Sequence, residues 1–237
     1  MNVLRTNQIK PVVTSLILGT VLSMATVSTS WAEKDELPEV DKNGLHLVKH
    51  SEARVVYVLP GATLSAYTKV KILPTYVAFK KNYERDFNLS EVGLDGRITD
   101  KDMEEMKTRL AAEFNKEFTK VLEKKGYPVV DETGKDVLLL RPAIINLNVA
   151  APDALNRSAF MTTVVQSAGD MTLYMELYDS ATSELIARVV DPEEDDNSFA
   201  QRANRVTNKV AADKIISRWA NMLVKRLDEA KGHEKSK

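Results

Sequence analysis

Cysteine is absent from the sequence. Its absence excludes disulfides, thiol nucleophiles, thiolate metal sites and a thioether lipid anchor, so any domain must be held by its core alone. Histidine is nearly absent as well, at three residues in 237. His46 and His50 sit four apart, a metal-binding spacing on a helix, but the segment has no helical period and no third ligand nearby. Solvated side chains are the simpler reading. Neither charge sign dominates: 33 Lys and Arg face 34 Asp and Glu. That balance argues against a general nucleic-acid binder, which would carry a basic excess or stripe.

Catalytic and cofactor motifs are also missing. The sequence holds no G-x-S-x-G elbow, no G-x-G-x-x-G and no phosphate loop. The acidic run from Glu91 to Asp102 has an EF-hand-like glycine and isoleucine. Gly93 stands where its third ligand belongs, so a loop feeding a capped helix explains it better. The acidic run from Pro192 to Asn197 precedes a helix, whose dipole suffices to account for it. The expectation is a protein without enzymatic activity, metal or cofactor.

What is present begins with an export signal. Arg5 and Lys10 precede an uncharged stretch from Val12 to Val27, too short and too polar for a spanning helix. Ser30-Trp31-Ala32 then supplies a small-x-small cleavage site, which places the cut between Ala32 and Glu33 and the product in the periplasm. The remaining 205 residues suit a single domain. The expected organisation is a signal peptide at 1–32, a flexible arm at 33–53, a domain at 54–231 and a disordered tail at 232–237.

Hydrophobic periodicity sets the expected elements. Strand signals fall at Arg54–Pro60 and at Lys69–Phe79, the second interrupted by Pro74 with a bulge or edge position expected there. Residues 80–98 read as irregular. A helix is expected from about Lys101 to Lys125, with a Thr99–Asp102 capping box and a Gly126 cap. Its apolar stripe runs Met103, Met106, Leu110, Phe114, Phe118, Val121 and Leu122. Strands follow at Asp136–Ala150, Met171–Tyr178 and Glu184–Val190. In the second of these, Met171, Leu173, Met175 and Leu177 alternate with Thr172, Tyr174, Glu176 and Tyr178. A last helix is expected from about Phe199 to Ala230, with a Ser198–Gln201 capping box, a possible break at Ala211-Ala212 and a stop at Gly232. Its stripe is Ala203, Val206, Val210, Ile216, Trp219, Leu223 and Leu227. Segregated strands and helices give the fold class: α+β, a mostly antiparallel sheet with two long amphipathic helices on one face.

Several phrases resemble the bacterial domain-of-unknown-function family 3313, a family of envelope lipoproteins. They are the Pro60-Gly61 turn with Tyr67, the Ala168-Gly169 entry to a strand, the Asp179 turn, and Trp219-Ala220, within residues 54–230. The resemblance implies an envelope protein, here without the lipidated cysteine. The expected function is a binding or assembly module for another cell-envelope component, with a small-ligand binding domain as the alternative and a hydrolase behind it. The candidate contact surface is Tyr174 and Tyr178 on a strand, with Phe160 and Met161 in the 152–168 connection.

Overall fold

A computed structural model describes residues 37–90, 97–149, 163–165, 169–194, 201–203 and 205–234. The strands are β1 (His46–Leu47), β2 (Val55–Val58), β3 (Lys69–Ile72), β4 (Tyr76–Phe79), β5 (Val137–Val149), β6 (Thr163–Val165), β7 (Gly169–Asp179), β8 (Leu185–Glu194) and β9 (Gln201–Ala203). The helices are α1 (Tyr83–Ser90), α2 (Asp100–Lys124) and α3 (Arg205–Glu234).

Seven strands form one sheet in the order β1-β2-β8-β7-β5-β3, with β4 also paired to β5. Every pairing is antiparallel except those of β3 and β4 with β5, which are parallel. The chain is thus α+β, with α1 and α2 lying in the crossover between parallel strands. Pro74 does more than bulge a strand. It separates β3 from β4, which pair with successive stretches of β5, Val137–Leu140 and Ala143–Leu147. A second, two-stranded sheet joins β6 and β9.

Local chemistry delimits α2. Thr99 accepts from the Asp102 backbone N–H while the Asp102 carboxylate accepts from that of Thr99, a reciprocal capping box. At the other end Gly126 takes φ +86°, a left-handed turn that glycine enters without a Cβ clash. The expected stripe is buried at Met106, Phe114, Phe118 and Leu122.

One face of the sheet carries the core. Met171, Leu173, Met175 and Leu177 of β7 share a single cluster with Phe114, Phe118 and Leu122 of α2 and with Ile216, Trp219, Leu223 and Leu227 of α3. Each fully buried side chain of this size contributes about 1.5–3 kcal/mol, so the two helices and the sheet face stabilise one another. The helices pack together, and Ser217 of α3 donates to the Glu117 carboxylate of α2 at 2.8 Å.

Four expectations are corrected. Residues 80–98 are not wholly irregular, because Tyr83 anchors α1: it stacks on Phe79 at 4.6 Å and donates to the Val149 carbonyl at 2.9 Å. From residue 37 the segment read as a loose arm has fixed partners. Leu45 is fully buried, β1 pairs with β2, and Tyr57 donates to the Pro38 carbonyl at 2.8 Å. The last helix starts at Arg205, since Gln201–Ala203 is spent on β9; it runs unbroken through Ala211-Ala212 and past Gly232. Val210 is 61% exposed and not part of the buried stripe, which lies instead along Ala211, Ile215, Ile216, Trp219, Ala220, Leu223, Val224 and Leu227. Ser198 lies outside the described residues.

Candidate functional site

The alternation of β7 turns Tyr174, Glu176 and Tyr178 away from the helices. Register sets Arg141 of β5 on one side of Glu176 and Arg188 of β8 on the other, with Tyr57 of β2 beyond. Tyr174 donates to Glu176 Oε1 at 2.9 Å and Tyr178 to Oε2 at 2.7 Å. The Arg188 guanidinium donates to Oε1 at 3.0 Å, to Asn43 Oδ1 at 2.9 Å and to the Asp41 carboxylate. Burial pushes the Glu176 carboxyl up. Hydrogen bonds from Tyr178, Tyr174 and Arg188 outweigh that cost and hold it below the ordinary range. Both tyrosine hydroxyls are therefore committed to a carboxylate that also holds Arg188, the residue that ties Asp41 and Asn43 to the sheet. Phe160 and Met161 lie outside the described residues, as do Glu91 and Asp95. Asp102 is engaged by Thr99, and among the described residues no group of three or more His, Cys, Asp or Glu is placed to hold a metal ion.

The helix side of the sheet holds a different feature. Where α2 and α3 pass the far end of β5 and the start of β7, the described residues leave a pocket of about 420 Å³ between them. Met106, Leu110, Leu147, Val149, Met171 and Ile215 supply apolar walls. Two causes leave the space. The pocket side of each helix carries small residues, Ala112 on α2 and Ala211 and Ala212 on α3. On the sheet side, β5 shifts register between Ile145 and Asn148, and Asn146 takes φ +53°. Such a bulge bends a strand and re-aims its side chains.

Polar groups at this pocket are mostly satisfied by one another. Lys209 donates to Glu113 at 2.7 Å and to Asp213 at 2.5 Å. These hydrogen bonds raise the Lys209 pKa, and the one from Lys209 lowers that of Glu113, so the Lys209–Glu113 pair stays ionised. Asn148 Nδ2 donates to Asp170 at 2.7 Å. Arg109 is exposed, lines the pocket, and has no ion pair or hydrogen bond to a described residue. The sequence placed Met106, Leu110 and Met171 on apolar faces and marked Ala211-Ala212 as a break, but it did not single out the polar lining residues. The Ala-Ala pairs in both helices were the visible signal, but small residues declare a gap only when two of them face the same space.

The chain belongs to the family described as "Protein of unknown function (DUF3313)", whose family model matches residues 42–223. No curated protein matches it. Among solved structures it is similar to a DUF330 protein from Xanthomonas campestris, 13% identical at a TM-score of 0.40, over 74% of this chain and 91% of that one. It is also similar to the PelC dodecamer from Paraburkholderia phytofirmans, 8% identical at 0.36, over 71% and 95%. A third is a DUF4136 family protein from Bacteroides thetaiotaomicron, 10% identical at 0.35, over 79% and 98%.

Proposed function

We propose that this member of the DUF3313 family is an exported binding protein of the cell envelope, without catalytic activity, that seats an apolar group of its ligand between α2 and α3. The observation that carries this reading is the pocket of about 420 Å³. Ligand sites are typically concave, mostly apolar and roughly 300–1,000 Å³ in volume. Two further features favour it over partner capture at a sheet edge. The edge at β3 is only four residues long, carries Lys69 and Lys71, and is bridged at Val70 by Val129. The opposite edge, β1, is two residues long. The amino-terminal signal pattern supports export. The described lining contains no Ser, Thr or His, and its carboxylates are occupied by Lys209 and Asn148, which favours binding over hydrolysis.

An uncharged fluorescent probe, N-phenyl-1-naphthylamine, tests the site. Wild type should bind it saturably with enhanced emission. Ala112→Phe fills the pocket from an exposed helical position and should weaken binding by about tenfold or more, a change of about 1.4 kcal/mol. Its melting temperature should stay near wild type. Undiminished binding to the Ala112→Phe protein would place the probe elsewhere and sink the reading.

A further inference from the structure

We propose that the occupant of this pocket is a single-chain amphiphile with an anionic head group, such as a fatty-acid carboxylate, and that Arg109 is the head-group contact. The inference rests on the pocket being the ligand site and adds the chemistry of what fills it.

Charge is the first argument. Of the charged groups lining the pocket, Lys209 pairs with Glu113 and with Asp213 beside it, and the Asp170 carboxylate accepts from the Asn148 amide. Arg109 alone among the described lining residues carries a full charge with no partner. A guanidinium presents a planar fork of donors that a carboxylate matches with two parallel hydrogen bonds. A ligand that brings an anion to Arg109 gains a charge-assisted pair that a neutral ligand of the same shape does not.

Backbone bonding is the second argument, and it selects a chain-like lipid over an extended peptide. An extended peptide is usually recognised through its own main chain, which needs free donors and acceptors along the wall. Here the sheet wall is already paired. Asn148 and Val149 pair with Asp170 and Gly169 in the β5–β7 ladder, and the Leu147 carbonyl accepts from Lys80. What the wall still offers is apolar surface, from Leu147, Val149 and Met171 together with Met106, Leu110 and Ile215. Such a surface accepts an acyl chain without leaving a polar group unsatisfied.

Isothermal titration of the mature protein at low ionic strength decides it, with dodecanoate and dodecylammonium kept below their micelle concentrations and dodecanol below its solubility limit. Dodecanoate should bind about tenfold tighter than dodecanol, and tighter than dodecylammonium. Arg109→Gln, an exposed change, should melt like wild type and bind dodecanoate and dodecanol within about twofold of each other. Arg97→Gln, an exposed cation outside the pocket lining, should retain the preference. Equal wild-type affinity for dodecanoate and dodecanol would overturn the head-group assignment and leave the pocket standing. A preference that survives Arg109→Gln would do the same. A carboxylate-ended apolar peptide that outcompetes dodecanoate would overturn the lipid class. If N-phenyl-1-naphthylamine binds but none of the three chains displaces it, the acyl occupant is refuted. If neither the probe nor a chain binds, the pocket reading itself fails.

Discussion

The indole N–H of Trp219 donates to the Asp191 carboxylate at 2.9 Å, with both residues almost fully buried. The bond joins the middle of α3 to β8 and occupies one oxygen of a carboxylate whose other oxygen accepts from the Arg54 backbone. Trp219 is the only tryptophan after Trp31, so in a protein cleaved after Ala32 its emission alone would report on α3 docking. Trp219→Ala should cost about 3–5 kcal/mol through packing. Trp219→Phe keeps most of the packing but strips a buried carboxylate oxygen of its donor, and should cost about 1–3 kcal/mol. Asn221→Ala, on the exposed side, should stay within about 0.5 kcal/mol. Urea unfolding would rank the three. A red-shifted, readily quenched Trp219 in the native protein would contradict the docked helix.

Acid should loosen the open face of the sheet. The Glu176 carboxyl sits below its ordinary value of 4.5, and Asp41 is lowered too, burial being outweighed by the Leu45 and Asn43 backbone and by Arg188. A depressed carboxyl pKa contributes stability that is complete above the unfolded value and is lost as pH falls through the folded one. The melting temperature should therefore fall as pH drops below about 5. Glu176→Gln should lower it at neutral pH and flatten that decline. An unchanged slope in the variant would show that Glu176 is not a titrating contributor.

Two glycines should respond differently to alanine. At Gly169, φ is +143° and a Cβ would lie 2.0 Å from the Asn148 carbonyl oxygen, so the β5–β7 ladder beside the pocket would have to part. Gly169→Ala should cost at least about 3 kcal/mol. At Gly126, φ is +86° but no atom lies within 4 Å of the added Cβ. Gly126→Ala should cost only the left-handed penalty of about 1–2 kcal/mol. Similar denaturation midpoints for the two variants would refute the contrast.

The processed protein should begin at Glu33 and fractionate with the periplasm, because Ser30-Trp31-Ala32 is the best-placed cleavage site. Amino-terminal sequencing checks this. A full-length, membrane-retained product would contradict it.

The sequence alone determined features written within a few residues of one another. The Thr99–Asp102 box and Gly126 delimited α2 to within one residue, the two-residue alternation assigned the faces of β7, and the stripe placed Trp219 in the core. Caps and periodicities are local, so their chemistry can be read from neighbours in the chain. The tertiary structure decided whatever depends on separate elements meeting. Arg188 meets Asp41 across 147 positions, and that contact fixes a segment that looked loose. Tyr83 turns a polar stretch into α1 only because Phe79 and the Val149 carbonyl are there to receive it. Val210 falls outside the core because the helix runs straight through Ala211-Ala212 instead of breaking. The pocket is the extreme case: it is the space left between two helices and a bulged strand, and no local pattern encodes a space that three distant segments jointly fail to fill.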